Sequence, residues 1–523
     1  MPGLKKMSNK THSSQNHLAD APVHAERLLP LWRAWLRMAV VATASLAAAG
    51  LIATGLSGCA DLPDITPKSS MRDAQSLGLQ APATEANVPV TINAEWWRDF
   101  GDEPLNRLIG QALEASPSLK LAQARVARAQ AVTEAANAAI LPQLNGQLDM
   151  TRQRFTANSL YPPPLGGSIQ ESGTAQLNAS WEMDFFGKNR AALDAALGSV
   201  NAANADAQAA RVLLASQVAR TYFQLVRLNE QVLVARRTLA QRTETLRLVQ
   251  DRVNAGLDTR LELRQSQGSL PEARLQLEAL QEQMALTRNA LAALIGQPTG
   301  DFSLIPSNQA AIRNVAVTAT LPADLLGRRA DIAAARWRVE AASKDVVNAK
   351  TQFYPNINLV AFAGFSSIGL GNLIDAGSRQ WGVGPALSLP IFDAGRLRAN
   401  LRGKTAELDV AVESYNAAVI DAVRDVADQA ASLQSIARQQ AEQVAARQAA
   451  EDAYDIAMQR YRAGLGNYLN VLTAETSVLA QRRLAVDLAG RALDTQVALI
   501  RALGGGVAPT PPMPTSVAHL LQQ

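Results

Sequence analysis

The sequence predicts a mixed fold. Very long α-helices form an all-α shaft, amphipathic β-hairpins of the kind found in transmembrane barrels join it, and the whole is an internal tandem repeat. Three observations predict it. Residues 188–254 and 396–462 contain no proline and one glycine each, Gly198 and Gly403. At 1.5 Å per residue either stretch spans about 100 Å as a helix, beyond any single globular domain, which implies a coiled-coil or helical-barrel shaft. Residues 174–184 alternate strictly, with Ala175, Leu177, Ala179, Trp181 and Met183 interleaved with Gln176, Asn178, Ser180, Glu182 and Asp184. A period of two means a strand with one apolar and one polar face. Finally, landmarks recur in order: Arg252-Val-Asn-Ala-Gly256-Leu257 returns as Arg460-Tyr-Arg-Ala-Gly464-Leu465, Phe186-Gly187 as Ala394-Gly395, Leu294-Ile-Gly296 as Ala502-Leu503-Gly504, each 208 residues on. Ile140-Leu-Pro142 returns as Phe353-Tyr-Pro355, 213 residues on. Two copies of one unit therefore occupy 96–305 and 321–506, joined by a linker at 306–320.

Composition excludes several function classes. Hydrophobic residues make up 48% and charged residues 18% of the 523 residues, too apolar for a disordered chain. Aromatics are 5%, while Ala, Leu, Gln and Arg abound, as in long helices packed through small residues. The net charge of +4 suggests nucleic acid, but six of the 50 basic and two of the 46 acidic residues lie in 1–58. The body carries 44 of each sign, and that neutrality argues against a nucleic-acid partner. The single cysteine excludes an intrachain disulfide or a thiolate-rich zinc site. His12, His17, His24 and His519 all sit at the chain ends, so the body has no imidazole base or metal ligand. No phosphate loop of the GxxxxGKS type occurs. Neither an enzyme nor a cofactor beyond a covalent lipid is expected.

In chain order, residues 1–37 are polar and basic and Met38 to Gly58 run without a charge, an n-region followed by an h-region. The stretch closes in Leu56-Ser57-Gly58-Cys59-Ala60, which resembles a lipoprotein signal. The Cys59 thiol would take a diacylglyceryl group, and the amine freed by cleavage a further acyl chain such as palmitate. The alternative is an uncleaved spanning helix, since about 20 apolar residues cross a bilayer. Asp61 lies one place beyond the usual enterobacterial inner-membrane retention position, which favours the outer membrane. Residues 59–95 are then a lipid-anchored extended segment.

A helix is expected from Pro104 to Ala139, with Leu105, Leu108, Ile109, Ala112 and Leu113 forming a 3.6-residue stripe. Pro142 breaks it. A hairpin follows at about 143–186, built from a weak strand (Leu144 to Met150), a turn-rich loop (Tyr161 to Gly167) and the alternating strand. Its counterpart at about 356–392 has a weak strand (Ile357 to Ala361), a loop from Gly364 to Arg379 and the alternating Trp381, Val383, Leu387, Leu389 and Ile391. Strands of this kind flanked by Trp181, Phe185, Phe186, Phe353, Tyr354, Trp381 and Phe392 suit an outer-membrane barrel with aromatic girdles; a soluble sandwich alternates equally well. Four strands close no lumen alone, so several chains would each supply four. Each long helix ends at an Ala-Gly reversal, Ala255-Gly256 and Ala463-Gly464, and a second helix returns at 261–296 and 467–503. The Pro-rich tail, 507–523, is expected to be flexible.

These landmarks resemble the TolC-like outer-membrane efflux factors, and within them the NodT-type lipoproteins of resistance-nodulation-division systems. The likeness is carried by Trp96-Trp97-Arg98-Asp99-Phe100-Gly101-Asp102-Glu103-Pro104-Leu105 and by Leu321-Pro-Ala-Asp-Leu-Leu-Gly-Arg328-Arg329-Ala330-Asp331-Ile332, where the family usually has Pro at the place of Ala330. The resemblance implies a homotrimer in which each chain gives four strands to a twelve-stranded barrel and long helices to a periplasmic α-helical barrel. It implies an exit duct in the outer membrane for a tripartite efflux system, with a periplasmic adaptor (membrane fusion) protein and an inner-membrane pump as partners. Carried over by position, the periplasmic aperture falls at Tyr461, Leu469, Asn470 and Thr473. Relatives often carry acids at the places of Asn470 or Thr473, and their absence here argues against a cation-selective ring. Closure would rest on packing and amide hydrogen bonds of Leu469 and Asn470, or these residues are ordinary inter-helix contacts. The reversals, Ala255, Gly256, Ala463 and Gly464, would receive the adaptor. The competing function is a periplasmic coiled-coil scaffold or adaptor, anchored to a membrane and forming no pore.

Overall fold

The two alternating segments pair through their own hairpins and then with each other, giving one antiparallel sheet. The computed structural model describes residues 65–72 and 92–506, except 159, 161, 299–303, 305 and 316–324. The signal segment 1–58, Cys59 and the tail 507–523 lie outside the described residues. In chain order come α1 (Glu103–Ala115), α2 (Pro117–Ala138), β1 (Gln143–Arg154), β2 (Ile169–Glu182), α3 (Lys188–Asn254) and α4 (Arg260–Leu294). The second copy follows as α5 (Ala330–Thr351), β3 (Asn356–Ile368), β4 (Arg379–Ser388), α6 (Arg396–Arg462) and α7 (Tyr468–Ala502). The duplication shows in the lengths: α2 and α5 have 22 residues each, α3 and α6 have 67, α4 and α7 have 35.

Both long helices begin by the same device. Gly187 (φ 77°) and Gly395 (φ 85°) take the left-handed conformation that ends the strand segment. Asp184 accepts from the backbone N–H groups of Asn189 and Arg190 at 3.0 and 2.8 Å. Asp393 likewise accepts from Gly395 and Leu397 at 2.9 and 2.8 Å. Each carboxylate satisfies two of the orphan donors of a helix start. The strand-proximal half of α3 packs on α2 and α5, its remote half on α4 and α7; α6 packs on α5 and then α7. Small residues set the closeness. A Cβ at Gly198 would stand 3.1 Å from Ala341 Cβ and 3.2 Å from its backbone, and Ala191, Ala195 and Ala202 are buried beside it.

The sequence expectation of one helix over 104–139 is corrected: there are two. Pro117 disfavours helical geometry at the residue before it, and Ser116 is extended (φ −60°, ψ 126°). The strands also exceed the expected ones. β2 starts at Ile169 rather than Thr174 because its polar outer part pairs with β1 as far as Arg154↔Ile169. β3 runs to Ile368, so Gly364, expected at the start of a loop, lies inside a strand opposite Gln176 and Gln380.

Midway along the helices lies the main core, where Trp96, Phe100, Leu105 and Ile109 meet Tyr222, Phe223 and Leu225 of α3, Leu291 of α4 and Val497 of α7. Asp102 caps α1 through Leu105 N–H at 2.9 Å and accepts the Tyr222 hydroxyl at 3.0 Å. Burial pushes the Tyr222 phenol up to about 12, so it remains a donor. Residues 306–315 of the linker dock on this core: Tyr222 donates to Ser307 Oγ at 3.2 Å, and Gln496 accepts from Val315 N–H at 3.1 Å. The Arg329 fork binds Asp331 at 3.0 and 2.6 Å and approaches Asp425 at 3.6 Å. It thereby ties the start of α5 to α6.

Candidate functional site

Two regions are candidates for function: the sheet, and the end of the helices remote from it. Strand order is β1-β2-β3-β4. On one face Gln380 donates to Gln176 at 2.9 Å, Gln176 to Asn178 at 3.0 Å and Asn178 to Gln147 at 3.1 Å, an amide ladder crossing the sheet. The Gln380–Gln176 bond passes over Gly364, which has no side chain to obstruct it. On the opposite face Leu144, Leu148, Met150, Leu177, Trp181, Trp381, Val383 and Leu387 are all exposed in the single chain. A sheet with an amide-rich polar face, which also carries Asp149 and Glu182, a bare apolar face and two unpaired edges is incomplete as it stands.

At the remote end, α3 turns into α4 through Ala255-Gly256 and α6 into α7 through Ala463-Gly464. Gly256 (φ 74°) and Gly464 (φ 72°) supply the left-handed cap. Leu257 and Leu465, the next residues, are exposed. The return helices start on Thr259, whose side chain pairs with Glu262 in a capping box, and on Asn467, which accepts from Asn470 N–H at 3.1 Å.

Tyr461, expected at an aperture, is fully buried within the packing between the reversals. Its hydroxyl donates to Asp258, which also accepts from both arms of Arg252 at 3.0 and 3.3 Å. The Arg252 guanidinium lies 4.6 Å from the Tyr461 ring centre, and Tyr468 packs on that ring at 5.9 Å. Arg252 and Asp258 side chains are 11% and 9% exposed. The three groups thus form a latch between the first reversal and the end of α6. Leu469, Asn470 and Thr473, by contrast, share an exposed face of α7, with Thr473 Oγ1 donating back to Leu469 O at 2.9 Å. Two residues beyond Thr473 on α7, Glu475 is buried beside Arg242 at 3.4 Å. Arg242 also donates to Ser269 O at 2.8 Å, joining α3, α4 and α7. Burial raises the Glu475 carboxyl, against the opposing pull of Arg242.

Sequence reasoning missed Asp258, Arg252, Arg242 and Glu475 as tip residues. A signal existed for the first: where the first copy has Val253 and Asp258, the second has Tyr461 and Gly466, so the latch sits where the repeat diverges.

Burial above all, with the bond to Asp258 second, raises the Tyr461 phenol above its ordinary value. The neutral form fits the fold, so the stabilisation is full below the unfolded value of about 10 and is lost as pH rises through the folded value. Tyr461→Phe should lower stability by about 1.5 kcal/mol at pH 7, and the difference should persist at pH 9 and shrink only beyond about 10. Denaturant midpoints of the two proteins against pH check this, and a difference already lost by pH 9 refutes it.

The outer membrane efflux protein family matches residues 108–297 and 321–505, once for each copy of the repeat. The chain belongs to that family. Among its relatives, the Escherichia coli multidrug resistance outer membrane protein MdtQ is 33% identical over 473 residues, covering 86% of this chain and 96% of the relative. The Pseudomonas aeruginosa pyoverdine export outer membrane protein OpmQ is 35% identical, covering 79% and 87%. Among solved structures, the outer membrane protein VceC of Vibrio cholerae superposes with a TM-score of 0.74 at 37% identity, covering 79% of this chain and 98% of that one.

The chain is therefore an outer-membrane efflux channel of the TolC-like kind, with a periplasmic helical shaft. Members of the family are trimers that work with adaptor proteins and inner-membrane pumps. That decides for the channel over the poreless scaffold. It also explains the incomplete sheet: each protomer's β1 and β4 edges pair with its neighbours, the apolar face meets lipid and the amide face lines the lumen.

Proposed function

We propose that a homotrimer of this chain, lipidated on Cys59, is a passive, non-catalytic exit duct that receives cargo from a resistance-nodulation-division pump through an adaptor. The observation that carries this is the two-faced sheet with both edges open, which closes a lumen only when copies combine. Leu469, Asn470 and Thr473 line the aperture, while Tyr461 acts behind them by holding the reversals together. The adaptor meets Ala255-Gly256 and Ala463-Gly464, where the exposed Leu257 and Leu465 offer paired apolar contacts. Relatives named for multidrug resistance and pyoverdine export support small organic molecules as cargo. Expressed with a pump and adaptor in cells lacking their own outer-membrane channels, the protein should restore export. Correctly inserted trimers that restore none would contradict the reading.

Lipidation rests on the Leu56-Ser57-Gly58-Cys59-Ala60 pattern behind an uncharged stretch. Asp409 accepts from Lys68 and Ser69 N–H at 2.8 and 2.9 Å, and Asn416 from Arg72 N–H at 2.9 Å. Residues 65–72 thus run along α6 away from the strands. Cys59→Ser should abolish acyl labelling while leaving trimers intact; unchanged labelling would remove Cys59 as the acceptor.

A further inference from the structure

We propose that the outer ends of the strands form a binding site for the phosphate groups of a phosphorylated glycolipid in the outer leaflet. The inference rests on the reading of the sheet as a barrel wall. On the lipid-facing side the apolar band ends, away from the helices, in Arg152 and Arg154 of β1 and Arg379 of β4. Register places them there: Leu144, Leu148, Met150, Arg152 and Arg154 share one face of β1, and Arg152 stands opposite Glu171. Arg379 shares its face of β4 with Trp381, Val383 and Leu387. Arg152 contacts Glu171 at 3.6 Å with both side chains well exposed (72% and 46%). Among the described residues, Arg154 and Arg379 form no ion pair, and the remaining acid near this rim is Asp375 in the 369–378 loop. Cations exceed acids at each protomer's outer rim, and the trimer repeats that excess three times.

The opposite rim shows what is particular here. At the helix end the strand residues of the same face finish in Leu144, Trp181, Ile357 and Leu387, none of them charged, and the cations Lys188, Arg190, Arg396 and Arg398 come only with the helix starts beyond. A lipid-facing arginine costs about 2–4 kcal/mol at the bilayer midplane and close to nothing at the interface, so these side chains belong at headgroup level. Planar guanidinium groups bind phosphate oxygens two at a time, an arrangement lysine does not reproduce. Trp381, 79% exposed two residues from Arg379, places an amphipathic ring at the boundary where acyl chain meets headgroup. Within the strands the cations of this face lie at the outer end, where a phosphorylated outer-leaflet lipid would meet them.

The test uses the full-length trimer purified in detergent. It is titrated with bisphosphorylated lipid A, with the same lipid stripped of both phosphates, and with inorganic phosphate; retained lipid is read by native mass spectrometry. Native protein should retain the bisphosphorylated lipid about tenfold over the stripped one, and the triple substitution Arg152→Gln, Arg154→Gln, Arg379→Gln should erase the preference without changing conductance. Equal retention of both lipids by native protein overturns the proposal, as does a preference that survives the triple substitution. Displacement by inorganic phosphate as effective as by the lipid would reduce the site to a plain anion site and overturn it as well. If the triple variant does not assemble, the comparison of the two lipids on native protein decides alone. Native protein that conducts yet shows no phosphate preference defeats this site only; native protein that does not conduct defeats the channel reading.

Discussion

Asp258→Ala should open the tip. Asp258 is the shared acceptor of Arg252 and Tyr461, and its removal strands an arginine that is 11% exposed. Loss of one partner of a buried pair costs roughly 3 kcal/mol, which is about a hundredfold in an equilibrium between latched and spread reversals. Single-channel recordings in planar bilayers should show a larger and more frequently open conductance. Cells carrying the variant should become permeable to antibiotics normally too large to cross. Conductance and permeability equal to those of the native protein would mean that the latch is merely structural. Asp258→Asn, which keeps an acceptor for one donor and removes the charge, should fall between the two.

Gly364→Val should prevent the barrel from forming. A Cβ at Gly364 would stand 2.2 Å from the Ala175 carbonyl oxygen and 2.6 Å from Gln176 Cβ, distances that backbone atoms of a paired strand cannot relieve. β2 and β3 are the sole direct link between the two hairpins within the sheet, so the substitution separates the halves of each protomer's contribution. Heat-resistant trimers on gels should disappear. Gly384→Val supplies the control: it lies on the same face of β4 and has open space where its Cβ would go. Equal loss of trimers in both variants would show that side-chain bulk in the lumen, rather than the close approach at Gly364, is responsible.

The limits of legibility follow the physics of each element. Helices α3 and α6 were readable to the residue, because Gly187 and Gly395 mark one end, Ala-Gly marks the other, and neither stretch has a proline between. Ser116-Pro117 was readable too, since the residue before a proline resists the helix, but the apolar stripe from Leu105 to Leu113 drew attention away from it. The middle of β2 announced itself by alternation. Its outer end, Gln170 to Gly173, carries no alternation and is a strand only through pairing with β1, a non-local cause.

The tip divides in the same way. Its location and glycine caps are local features, and the resemblance placed Leu469, Asn470 and Thr473 on what proves to be an exposed face of α7. That Tyr461 turns inward is decided by Asp258, about 200 residues earlier in the chain. Such pairings are invisible to periodicity. The failure of the repeat at Asp258 and Gly466 was the one local trace of it, because a duplicated unit needs different residues where its two copies meet.

Electron microscopy of the full-length protein extracted in detergent tests the central claim most directly. The account predicts a hollow threefold particle, with a lumen running from a short barrel through a shaft whose helices are about 100 Å long, and narrowed at the tip. Solid rods without a lumen, or single chains with the sheet edges unpaired, would contradict it.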